Sequence, residues 1–132
     1  MYSNVASYCT PVTLLRQEAA EPNQLIWIKA RGKLNDDAGM HRCVAAYISD
    51  FALLSTALLP HPDLKVGMMA SLDHSMWFHA PFRADEWLLC QMECLRSHGG
   101  RSLVMGRIFT QDGTLAVSVA QEGIIRERLS HL

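Results

Sequence analysis

Two polar residues stand where the surrounding pattern is apolar. Asp50 is the only Asp, Glu, Lys or Arg from Cys43 to Pro62, and its neighbours three and four positions away are Ala46, Tyr47, Leu53 and Leu54. An ionised carboxylate on a buried face needs a partner. Asp50 is therefore either a structural acid holding backbone N–H groups or an arginine, or a catalytic carboxylate that orients a water. Gln121 continues the period-two parity of Leu115, Val117 and Val119, which points its side chain to the apolar face. A buried amide must be hydrogen-bonded. It is either a core glutamine satisfied by backbone or an amide that holds a water or a substrate carbonyl. The pattern leaves both alternatives open at both positions.

The run Ser71-Leu72-Asp73-His74-Ser75-Met76-Trp77-Phe78-His79 is also dense in chemistry. Asp73, His74 and His79 suggest a metal, but histidines five apart face opposite sides of a strand and are not the i, i+4 pair that grips one ion on a helix. No metal site is expected. The same letters contain Ser, His and Asp, yet no G-x-S-x-G elbow occurs, and adjacent strand residues cannot all converge. The histidines read as packing and hydrogen-bonding residues. Met68, Met69, Trp77 and Phe78 read as core or pocket lining.

The elements that must carry these residues follow from periodicity. Residues 24–32 (QLIWIKARG) read as a strand, and Asn35, Asp36 and Asp37 offer an N-cap. From about 39 to 59, Val44, Tyr47, Ile48, Phe51, Leu54 and Leu58 recur at helical spacing, while the other faces are also apolar or small. A helix apolar all round is a buried helix, and Pro60 and Pro62 end it. Four extended stretches follow at about 66–79, 86–97, 101–111 and 114–126, separated by Pro81-Phe82-Arg83, His98-Gly99-Gly100 and the Gln111-Asp112-Gly113 turn. Short turns make neighbouring strands antiparallel. One antiparallel sheet wrapped round one long central helix, an α+β hotdog fold, is the economical way to bury such a helix. The expected domain covers 24–129, after an irregular leader at 1–23 in which 12–15 can be extended.

The bulk composition agrees with one globular domain. The chain has 132 residues, 49% hydrophobic and 19% charged, with a net charge of −1. No basic block points to nucleic acid, no apolar run is long enough to span a membrane, and residues 1–10 lack a signal-peptide layout. Cys9, Cys43, Cys90 and Cys94 contain no C-x-x-C and read as reduced, intracellular thiols, Cys43 as a small buried one.

Residues 71–89 (SLDHSMWFHAPFRADEWLL), 106–126 (GRIFTQDGTLAVSVAQEGIIR) and 41–61 (HRCVAAYISDFALLSTALLPH) together resemble the C-terminal hotdog of the acyl-CoA thioesterase II family, which has bacterial and peroxisomal branches. The resemblance implies that Asp50, Ser71 and Gln121 hold and polarise one water that attacks the thioester carbonyl of a fatty acyl-CoA. Family members often carry Thr where this chain has Ser71; the hydroxyl is kept. Asp50 would be the general base. Gly39, whose N–H lies near the helix start, is a candidate oxyanion donor, and His74 and Trp77 are further substrate-binding candidates. No cofactor is implied.

That family joins two hotdogs in one chain, so this single copy is expected to form a homodimer or to pair with a second hotdog domain. The chain ends Ser130-His131-Leu132, close to the S-K-L address read by the peroxisomal import receptor. Peroxisomal localisation is expected, with the cytoplasm as alternative. Two other readings compete. One is a non-catalytic hotdog interaction module. The other is an acyl-CoA hydratase, which needs a helix-borne Asp and His within a Gly-containing motif; Asp50 is followed instead by Phe-Ala-Leu-Leu.

Overall fold

The alternating stretches become five strands in the computed structural model, which describes residues 18–128. They are β1 (Asn23–Ile28), β2 (Val66–Phe78), β3 (Leu88–His98), β4 (Arg101–Phe109) and β5 (Leu115–Glu127). All pairings are antiparallel, in the order β1-β3-β4-β5-β2. With one α-helix, α1 (Ala38–Asp50), this is the α+β hotdog arrangement. The expected 12–15 extension and the 130–132 tail lie outside the described residues.

The tight turns do join β3 to β4 and β4 to β5, but β2 pairs with β5 and not with its sequence neighbour β3. The connection after β2 is held elsewhere. The N–H groups of His79 and Ala80 donate to the carbonyl of Ala116, the Ala30 N–H donates to that of Ala84, and the Ala84 N–H donates to His41 Nδ1. The segment Pro81-Phe82-Arg83 therefore runs past the start of α1 and is no hairpin.

The helical region departs from expectation. It is not one buried helix over 39–59 but the 13-residue α1 followed by a 3₁₀ segment, Leu54–Leu58. Only one stripe of α1 is buried: His41, Ala45, Ile48 and Ser49. Tyr47 is 66% exposed, and Met40 and Phe51 also face outward. Cys43 is exposed as well, against the expectation of a buried thiol; Cys90 and Cys94 are buried. The chain tightens at Phe51, whose N–H donates to the Ile48 carbonyl at 3.1 Å. The Ala52 carbonyl, which would continue an α-helix, accepts side-chain hydrogen bonds from Gln24 Nε2 (3.2 Å), Ser55 Oγ (2.9 Å) and Thr56 Oγ1 (3.1 Å). The Thr56 N–H turns instead to the Leu53 carbonyl.

The break sends Leu53 and Leu54 into the sheet. They join Ile28, Leu88, Met92, Val104 and Val119 in the core. Two glycines make room. A Cβ at Gly106 would come 3.2 Å from Leu53 Cδ1, and one at Gly123 would come 2.4 Å from Leu54 Cδ2 and 3.0 Å from the Ala70 carbonyl oxygen. The 3₁₀ segment lies against β1, β3, β4 and β5.

The start of α1 is pinned separately. Asp37 is the N-cap, its Oδ1 accepting from the Gly39 N–H at 3.0 Å. His41 accepts from Ala84 through Nδ1, so Nε2 carries the hydrogen donated to the Asn35 carbonyl at 2.8 Å. Arg83 grips Asp85 and Asp36 and donates to the Leu34 carbonyl. That hydrogen bonding holds Arg83 above its ordinary value and lowers Asp85 to about 2. Among the described residues no helix is long and apolar enough to cross a membrane.

Candidate active site

Asp50 is the last residue of α1, Ser71 lies on β2 and Gln121 on β5. The fold brings these three together. Gln121 is fully buried, on the apolar face as its parity predicts. Its Nε2 donates to Asp50 Oδ1 at 2.8 Å and to Ser71 Oγ at 2.5 Å. The amide orientation follows from chemistry: an ionised carboxylate can only accept, so the NH₂ must face Asp50. Gln121 Oε1 is left buried and without a partner. Both amide hydrogens are thus spent on the other two residues.

Ser71 reaches this face through a β-bulge. In the β2–β5 register Ser71 pairs with Gly123 and Asp73 with Glu122, so β2 advances two residues where β5 advances one. Directly paired residues share a face. Ser71, paired with Gly123, and His74, paired with Gln121, therefore both point inward although they are three apart.

Asp50 differs from expectation in its surroundings. It is not on a buried face: it is exposed, at the end of the helix, with neither a lysine nor an arginine paired to it among the described residues. Its carboxylate is open on one side and fixed by Gln121 on the other. Ser71 is likewise exposed. A narrow apolar crevice with room for only about 20 Å³ lies beside the helix end, lined in part by Ile26, Ile48, Phe51, Cys90 and Met92 but by none of Asp50, Ser71 and Gln121.

The other candidates are placed differently. The Gly39 N–H is taken by Asp37, and Gly39 lies 11 residues before Asp50, about 16 Å along the helix. Trp77 pairs with Ser118 on the opposite face from Gln121 and is half exposed. Met68, Met69 and Phe78 are exposed too, so this strand is not core lining in the chain by itself. His74 and His79 lie on opposite faces, His79 bonded to Ser118 Oγ at 2.8 Å. His74 Nε2 lies 2.8 Å from the Oγ of Ser49, a residue the sequence pattern does not single out. Its only signal was position: a polar residue beside Asp50 on the stripe that packs inward.

Residues 7–124 match the acyl-CoA thioesterase family. This chain belongs to the acyl-CoA thioesterase family. It is 58% identical over 118 residues to acyl-coenzyme A thioesterase 8 of Mus musculus, covering 88% of this chain and 37% of that protein. It is 36% identical over 93 residues to peroxisomal acyl-coenzyme A thioester hydrolase 1 of Saccharomyces cerevisiae, covering 68% of this chain and 27% of the relative. The crystal structure of an acyl-CoA thioesterase II, TesB2, from Mycobacterium marinum superposes with a TM-score of 0.80 at 41% identity, over 93% of this chain and 49% of that one. The chain therefore spans less than half the length of these relatives.

Proposed function

We propose that this chain hydrolyses fatty acyl-CoA to a free fatty acid and CoA, with Asp50, Ser71 and Gln121 as the site. The observation that carries this reading is the Gln121 amide, which ties an otherwise open carboxylate to a hydroxyl on a neighbouring strand. In this reading a water sits on Asp50 and Ser71. Asp50 takes its proton as the oxygen attacks the thioester carbonyl, and the C–S bond then breaks as the proton passes to the leaving thiolate. Ser71 accepts from Gln121 and so keeps its own hydrogen free to donate. Gln121 needs no contact with the water; it fixes the two groups that have one.

Asp50→Asn tests this directly. It keeps the size and removes the base, and turnover of a medium-chain and a long-chain acyl-CoA is expected to fall roughly 10²–10⁴-fold with the fold intact. Near-parent turnover would return Asp50 to a structural role.

A second reading has its own observation. Ser71 is exposed on β2, an edge strand that also carries exposed Met68, Met69, Leu72, Trp77 and Phe78, and Asp50 is exposed next to it. An unpaired apolar edge invites a partner. In this reading the site is completed by a second copy or by a second hotdog domain, and the lone chain is a non-catalytic module. A purified chain that forms dimers yet hydrolyses no acyl-CoA would favour it. The peroxisomal assignment is supported by the similarity to the peroxisomal hydrolase of Saccharomyces cerevisiae. It is tested by a reporter that carries or lacks Ser130-His131-Leu132: loss of peroxisomal accumulation on removal supports capture by the import receptor.

A further inference from the structure

We propose that buried Ser49 and half-buried His74 form a positioning pair that sets where Asp50 stands against Ser71 and Gln121; this rests on the thioester-hydrolysis reading. Ser49 directly precedes Asp50 on α1, and its side chain points inward where that of Asp50 points out. Its Oγ lies 2.8 Å from the Ala46 carbonyl, 2.8 Å from His74 Nε2 and 3.5 Å from Met76 Sδ. A hydroxyl has one hydrogen. The Ala46 carbonyl can only accept, so it takes that hydrogen, and His74 supplies the other bond from Nε2–H. The chain of donors runs His74 to Ser49 to the last turn of the helix.

This assignment leaves His74 Nδ1 as a bare acceptor, and that atom is buried with no partner. The opposite tautomer would strand an N–H there, which native structures tolerate less readily than an unused lone pair. A polar pair kept inside at the cost of one buried, unsatisfied atom, His74 Nδ1, calls for an explanation beyond packing. Its place supplies one. His74 is the register partner of Gln121, and the β2 bulge lies between it and Ser71. The end of α1 is thus held at two successive residues by two adjacent strands. Ser49 is tied to β2 through His74, and Asp50 to β5 through Gln121. One tether alone leaves the helix end free to swing about it; two fix the direction of the carboxylate. His74 contacts neither Asp50 nor Ser71 in the hydrogen bonds of this site, so it and Ser49 act through the others and are positioning residues.

The experiment uses the full chain and pairs kinetics with the side-chain amide NMR signals of Gln121, whose two hydrogens are donated to Asp50 and Ser71. Ser49→Ala is expected to lower kcat about 10–100-fold, as loss of alignment does. KM should stay within about twofold, and the Gln121 Nε2 hydrogens should shift and exchange faster. His74→Leu should do the same, and Ser49→Ala with His74→Leu should be no worse than either alone, because the two residues make one tether. His74→Gln, which returns an N–H near the place of Nε2, should restore kcat and the Gln121 signals. Unchanged Gln121 signals and unchanged kcat in Ser49→Ala would overturn the proposal, even with a lowered melting temperature. Asp50→Asn separates the two ideas. If it is inactive while Ser49→Ala is fully active, only the positioning role falls. If it turns over at the parent rate, Asp50 is not the base, and the site reading on which this proposal rests falls while the activity stands.

Discussion

Replacing Gln121 by Glu exchanges the amide donor for a second carboxyl at nearly constant volume. The new oxygen stands where Nε2 stood, 2.8 Å from Asp50 Oδ1, at a fully buried position. Two unit charges at that distance repel by roughly 6 kcal/mol at an effective dielectric of about 20, or about four decades in an equilibrium constant. At neutral pH the pair therefore keeps one proton between its two carboxyls. That proton restores one of the two hydrogen bonds Gln121 made, and the donor to Ser71 is lost. The carboxylate then no longer competes for the proton of a water, and turnover falls roughly 10²–10⁴-fold with a smaller change in KM. Stability carries a signature of the same event. A carboxyl whose folded value lies above its unfolded one contributes stability that is fully present below the unfolded value and is lost as pH rises. The melting temperature of Gln121→Glu should thus drop further below the parent's at each step from pH 5 to pH 8. Thermal melts across that range, alongside acyl-CoA hydrolysis, measure both. A gap that stays constant with pH, together with parent-like turnover, would refute the argument.

Three further outcomes follow from the geometry. Gly123→Ala forces a Cβ to 2.4 Å from Leu54 Cδ2 and 3.0 Å from the Ala70 carbonyl oxygen, so urea denaturation should show a loss of about 1–3 kcal/mol; an unchanged midpoint would mean that Leu54 is loosely held. Asp85, lowered to about 2 by its bond to Arg83, contributes stability above its unfolded value that is lost as pH falls through about 2. Asp85→Asn should therefore melt below the parent at pH 7, the gap closing as pH falls from about 4 toward 2; a gap of equal size throughout would assign the loss to packing. The exposed, apolar β2 edge predicts a two-fold dimer, and light scattering that shows a stable monomer at micromolar concentration would count against it.

Local rules made much of this molecule legible in its sequence. The Asp37 cap, the strand runs, the Asp112-Gly113 turn and the inward parity of Gln121 each depend on neighbours within a few residues, where steric and hydrogen-bonding preferences act directly. Asp50 was visible as a lone acid in an apolar run, but its setting was not. Its position at a helix end comes with the tightening of the chain at Phe51, and the segment beyond is held from far away in sequence by Gln24, whose Nε2 donates to the Ala52 carbonyl and to Thr56 Oγ1. Strand order is likewise non-local: β2 passes over its neighbour to pair with β5 because the 79–84 segment finds its hydrogen bonds on Ala116, Ala30 and His41. The inward turn of Ser71 depends on one bulge, and a one-residue shift reverses every side chain beyond it. Periodicity counts residues along one strand and cannot register an extra residue against a partner. Only the pairing of β2 with β5 brings Ser71, His74 and Gln121 onto one face beneath the end of the helix.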